Sequence, residues 1–198
     1  MIMKDYKLQK ELLGTDFNSF DSSKIDQQLE LTNNSIKQWH DKICLYQSNL
    51  LKGHGLKHQQ GSLFEDNSEN SVTEFDPLLL TPLPLSFWRW PKAPHAGPAI
   101  YFVISTVNIE DKNILLYIGE TVEADKRWKG NHDCKRYLSN YSENLQKAGI
   151  KYQLTIRFWV DVPKETKARQ KIEQQLIQYW LPPFNKETRE RWSTPFIS

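Results

Sequence analysis

Two apolar runs of strand type, residues 99–107 and 114–118, are separated by the polar stretch 108–113, and this arrangement constrains the chain more than any other feature. Runs rich in Ile, Val, Tyr and Phe joined by a short polar connection form a β-hairpin. The hairpin places Ala99-Ile100-Tyr101 on one strand and Tyr117-Ile118-Gly119 on the next. Two phenols can then face one small site. Tyrosine is ordinary in strands, so the pair acquires meaning only from what surrounds it.

The sequence after the hairpin supplies those surroundings. Residues 124–141 are helix-compatible, weakened by Gly130. Residues 152–160 alternate Tyr, Leu, Ile, Phe and Val with polar residues and form a third strand. Pro163 opens a helix that runs to Leu181, with Ala168, Ile172, Leu176 and Tyr179 as its buried stripe and Pro182-Pro183 as its stop. The expected fold class is α+β: a small three-stranded antiparallel sheet flanked by helices over residues 97–198, with an N-terminal helical extension.

In that extension, over residues 25–51, Leu29, Ile36, Ile43 and Leu50 recur every seven positions, and Trp39 and Tyr46 follow three residues after Ile36 and Ile43. This is an apolar seam on one long helix, closed by Gly53. The preferred reading packs the seam on the protein's own core; the other makes it a homodimer or partner interface. Polar residues complete a first region, 1–76, ending in a linker. His54 and His58 there have metal-ligand spacing, but Gly53 and Gly55 argue against the helix that spacing needs. Residues 77–96 form a connecting segment rich in Pro and aromatics, expected to wrap the domain surface without helix and with little ladder pairing. Its Trp88, Arg89 and Trp90 could instead stack on bases.

Charge is uneven. The chain carries +2 overall, with the surplus in the half after Gly97 and a small deficit before it. A basic C-terminal half suits a nucleic-acid-facing domain, with Lys126, Lys129, Lys135 and Arg136 as the candidate backbone contacts. Cys44 and Cys134 give neither a disulfide framework nor paired metal ligands. No apolar run reaches the length of a membrane span, and residues 1–10 lack the core of a secretion signal. A cytoplasmic protein away from membranes is the expectation.

Cleaving a phosphodiester needs a group that handles the attacking water, a cation on the phosphate and help for the leaving oxygen. Arg127 follows the second tyrosine strand, and a guanidinium matches phosphate geometry. Glu173 lies mid-helix beside the apolar stripe, where a carboxylate can hold Mg²⁺. Asn185 follows Pro182-Pro183-Phe184. With these residues in this order, the chain resembles the GIY-YIG nuclease superfamily over about residues 97–187. Its two tyrosine motifs match Ala99-Ile100-Tyr101 and Tyr117-Ile118-Gly119. Its arginine matches Arg127, its metal-binding glutamate Glu173 and its late asparagine Asn185.

The resemblance implies a metal-dependent endonuclease acting on DNA with Mg²⁺ or Mn²⁺. In it Tyr101 would bind or activate the water, Tyr117 would orient it, Arg127 would stabilise the phosphate charge and Glu173 would hold the metal. A phenol of pKa about 10 is a poor base at neutral pH, and neighbouring cations are expected to favour its phenolate. Three positions depart from the pattern: Ala99 replaces the first glycine, the hairpin connection is longer, and Asn131 stands where the family often has His or Tyr four residues after the arginine. His132 comes one residue later, about 140° around an ideal helix from Arg127 instead of about 40°; a turn loosened at Gly130 would bring it into the site. A module that has kept the fold and lost catalysis, and an interaction protein working through the 25–51 helix, are the other readings.

Overall fold

The hairpin expected from the sequence forms as β2 (Ala99–Val107) and β3 (Lys112–Thr121), antiparallel, with Tyr101 opposite Gly119 and Val103 opposite Tyr117. In the computed structural model the described residues are 22–57, 75–107, 112–129 and 133–194, with side chains within the first helix described for 33–52. The chain divides into two compact units, Met1–Lys37 and Gln38–Ser198. Among the described residues, no helix is long and apolar enough to cross a membrane.

The sheet has four strands, one more than the sequence reading expected, in the order β1 (Leu83–Pro84), β4 (Tyr152–Trp159), β2, β3. β4 pairs antiparallel with β2, and the added strand is β1, which pairs Leu83 with Ile156 of β4. Proline cannot donate to a ladder, yet it is tolerated on an edge strand, and β1 is an edge. Arg157 of β4 fastens the preceding turn, donating to the carbonyls of Pro77, Leu78 and Leu80.

Burial explains the strands. Ile100, Phe102 and Ile104 alternate along β2 and join Leu115 and Ile118 of β3 in one apolar cluster. Leu176, Ile177 and Trp180 complete it from α4 (Thr166–Trp180), as numbered after α1 (Ser22–Lys57), α2 (Ala124–Arg127) and α3 (Asp133–Lys147). Leu50 and Leu51 of α1 pack on the same cluster. The intervening β2 residues meet other partners: Ser105 Oγ accepts a 2.9 Å hydrogen bond from Tyr141 of α3. The Tyr141 hydroxyl also lies 2.9 Å from Nε2 of His40, whose burial pushes its pKa down to about 4 and keeps the ring neutral.

Several boundaries move. α1 runs through Gly53 to Lys57, because a glycine costs a helix only about 1 kcal/mol relative to alanine and propagation is cooperative. His54 is therefore helical, while His58 lies outside the described residues. The single helix expected over 124–141 is two, α2 and α3, and residues 130–132 between them are not among those described. α4 starts at Thr166 instead of Pro163, and its most buried positions are Arg169, Leu176, Ile177 and Trp180. Ala168, Ile172 and Tyr179 sit at the margins of that stripe.

β3 is the other edge of the sheet, and side chains close its outer side. Gln47 of α1 accepts from the Leu115 amide at 2.9 Å and donates to the Leu115 carbonyl at 3.1 Å and the Trp180 carbonyl at 3.2 Å. A register shift opposite Val103 and Ile104 leaves Leu116 as an extra residue, and its carbonyl accepts from the Phe184 amide at 3.0 Å. Asn185 serves both groups of Ile118, and Glu173 takes the Glu120 amide. Removing the buried Gln47 amide strands three backbone groups, and each unpaired buried group is costly. Gln47→Leu is expected to lower unfolding stability by ~2–3 kcal/mol, read as a lower urea midpoint with an unchanged slope.

Candidate active site

The outer edge of β3 opens onto a cleft of about 520 Å³. One wall comes from α2 and α3, with Arg127, Asp133 and Tyr137, and the other from α4, with Glu173, Gln174 and Ile177. The segment after α4 supplies Asn185, Lys186 and Glu187, and Tyr117 of β3 reaches in from the sheet. Tyr117, Arg127, Glu173 and Asn185, far apart in sequence, thus share one concavity. Tyr101 stands behind them, fully buried.

Strand register sets the phenols. Tyr117 lies two residues before Gly119, the cross-strand partner of Tyr101, so both side chains leave the sheet on one face. Their rings stack with centroids 6.0 Å apart. Gly119 makes this possible: a Cβ there would overlap Cζ and the hydroxyl of Tyr101. The glycine of Tyr117-Ile118-Gly119 is thus the space into which the Tyr101 ring fits. Trp128 meets that ring edge-on at 5.9 Å. The Tyr101 hydroxyl hydrogen-bonds Arg127 and Tyr117.

Burial is the largest influence on these phenols, and it holds the pKa of both above the ordinary value. Their mutual proximity and the buried Cys134 thiol act the same way on Tyr101, while Arg127 acts in the opposite direction and is outweighed. The expectation that a nearby cation would favour the phenolate therefore meets a stronger opposing effect. Taking a phenol out of water penalises its anion more than one half-exposed guanidinium repays.

Glu173 is held through its backbone-facing oxygen: Oε1 accepts from the Glu120 amide at 2.9 Å. Burial pushes its pKa up to about 7, with the Glu120 amide working against the rise and the Glu120 and Glu187 carboxylates adding to it. The residue that ties this corner together is Arg169, which the sequence reading passed over. Its Nε donates to Oε2 of Glu120 at 2.8 Å, and it also donates to the carbonyls of Pro163 and Lys164 at 3.1 Å. Arg169 and Glu173 lie one turn apart on α4, and Glu120 engages both, the first by carboxylate and the second by amide. A charged residue on an otherwise apolar stripe, four positions before Glu173, was the available signal.

Asn185 is buried with its amide already committed: Oδ1 accepts from the Ile118 amide at 3.0 Å and Nδ2 donates to the Ile118 carbonyl at 2.8 Å. It acts as a one-residue strand beside the tyrosine motif. Among the candidate nucleic-acid contacts, Lys126 and Lys129 are exposed, the former paired with Glu123 at 2.6 Å. Lys135 donates to the Trp128 carbonyl, and Arg136 lies over the Tyr137 ring. His132 lies outside the described residues. Gly119→Ala is expected to push the Tyr101 ring off its position, lowering stability by ~1–3 kcal/mol and altering the near-ultraviolet circular dichroism of the aromatic cluster.

No curated protein and no solved structure matches the chain. A family model does, over residues 98–187, from the start of β2 through the last residue lining the cleft. The C-terminal portion of this chain is a GIY-YIG catalytic domain, a domain of nuclease type.

Proposed function

We propose that the domain is a divalent-metal-dependent endonuclease that hydrolyses phosphodiester bonds of DNA in the cytoplasm. The observation that carries this reading is the convergence of Tyr117, Arg127 and Glu173 on one cleft, with Tyr101 hydrogen-bonded behind them. The cleft combines one guanidinium for a phosphate, one carboxylate for a hard cation and hydroxyls that can orient water.

Glu173 fits the cation. One of its oxygens is committed to the Glu120 amide, which fixes the carboxylate at the wall of the cleft. Among the described residues no cluster of three or more His, Cys, Asp or Glu is placed to hold a metal, so phosphate and water oxygens would complete the shell, as suits Mg²⁺ or Mn²⁺. When bound, the ion supplies positive charge that offsets the charge gathering on the phosphate oxygens. Arg127 adds a second positive contact from the opposite wall. Tyr117 orients the attacking water as a neutral phenol at the cleft wall. Tyr101 holds Tyr117 and Arg127 in register through its hydroxyl, which makes it the link between the two halves of the site.

Plasmid DNA incubated with Mg²⁺ or Mn²⁺ is expected to be cut by the wild type, with Glu173→Gln slower by on the order of a hundredfold or more. Cleavage that survives Glu173→Gln overturns the assignment of the metal ligand. Tyr117→Phe is expected to lose on the order of a hundredfold while leaving the folded structure intact.

The pKa of Glu173 sets a pH dependence. Above about 7 the carboxylate is ionised and available to the cation; as pH falls through 7 it takes a proton that competes with metal. The Mg²⁺ concentration for half-maximal cleavage is therefore expected to rise about tenfold from pH 8 to pH 6. A half-maximal concentration that does not change with pH would show that the carboxyl titrates well below this range.

A further inference from the structure

The connecting segment that the nuclease reading leaves unused carries an exposed aromatic turn beside the site. Phe87–Arg89 forms a tight turn, closed by hydrogen bonds from Arg89 to the Ser86 carbonyl and from Trp90 to the Phe87 carbonyl. Phe87 anchors it, buried with its ring 5.2 Å from that of Phe158. Trp90, the next residue, is 44% exposed, which is unusual for so large an apolar side chain. Arg89 lies over the Trp88 ring at 4.9 Å.

The turn is coupled to the catalytic cluster through Lys135, whose Nζ lies 5.8 Å from the ring centroids of both Trp88 and Trp128. Trp128 is the ring that meets Tyr101 edge-on. The charge along this segment has one sign: residues 77–107 contain Arg89 and Lys92 and no Asp or Glu. An exposed tryptophan on a preorganised turn, flanked by cations without acids, is suited to a base face with a phosphate on either side.

We infer that the Trp88-Arg89-Trp90 turn is a stacking platform for an unpaired DNA strand leading to the cleft, with Trp90 under a base and Arg89 and Lys92 on the backbone. Bases inside a duplex have no free face to offer Trp90, so the platform selects single-stranded or splayed DNA. The inference rests on the nuclease reading for its choice of DNA, and its test does not depend on cleavage.

The full chain carrying Glu173→Gln is titrated, by fluorescence anisotropy at fixed salt, with a single-stranded oligonucleotide, an abasic strand of equal length and the matching duplex. The abasic strand keeps the phosphates and removes the stacking faces. Affinity for the base-bearing strand is expected to exceed that for the other two by about tenfold. Adding Trp90→Ala is expected to remove that advantage and leave abasic binding unchanged, while Trp90→Phe retains most of it. Equal affinity for base-bearing and abasic strands overturns the platform, as does a Trp90→Ala variant that binds the base-bearing strand as tightly as its parent. A wild-type protein that binds in the expected pattern but cuts no DNA with Mg²⁺ or Mn²⁺ would count against the nuclease reading and leave the platform standing.

Discussion

The outer edge of β3 is the constraint on which the rest of the structure depends. An edge strand presents unpaired amides and carbonyls that must find partners if they are buried. Here the partners come from three separate parts of the chain: Gln47 on Leu115, Phe184 and Asn185 on Leu116 and Ile118, and Glu173 on Glu120. Satisfying the edge draws α1, α4 and the segment after α4 to one line. The cleft forms along that line because one of its walls, α4, and the segment after it are elements that came to pair the strand. The same bonds that stabilise the fold therefore set the positions of Asn185 and Glu173.

The electrostatics of the cleft follow from how much water this packing excludes. Tyr101 is buried behind Tyr117, and the Glu173 carboxyl is half-buried between the Glu120 amide and the Glu120 and Glu187 charges. Desolvation raises the pKa of Tyr101, Tyr117 and Glu173, and the Arg127 charge does not reverse it. Glu120 carries a second role, since its carboxylate neutralises the fully buried Arg169 while its amide anchors Glu173. A buried guanidinium whose three nitrogens each donate to a partner is a rigid strut, and it fixes α4 against the end of the tyrosine motif.

The parts of the site legible in the sequence were those carried by local pattern. Two apolar runs joined by a polar connection identified the hairpin, and the order of Tyr101, Tyr117, Arg127, Glu173 and Asn185 identified the constellation. What pattern could not show was which polar residues point inward. Arg169 did not stand out because arginine is seldom buried without a partner, and its partner, Glu120, lies on another element. The edge strand Leu83–Pro84 was hidden because two residues carry no periodicity. The seam of α1 was visible, but that Gln47 lies within it as a backbone clamp was not, since an amide side chain reveals its bonding only beside the groups it serves.

By itself the sequence determined the elements and the chemical inventory: a strand pair bearing two tyrosines, a helix bearing a carboxylate, and an arginine between them. Periodicity and residue type are local properties, and they suffice for that. Tertiary structure alone decided the roles. It spent the Asn185 amide on Ile118, turned Gly119 into the space that Tyr101 occupies, raised the Glu173 pKa to about 7 and left Trp90 exposed at the end of a packed turn. Each of these depends on which groups from distant segments meet and how much water remains between them. Those are properties of the folded contact, and no single stretch of chain contains them.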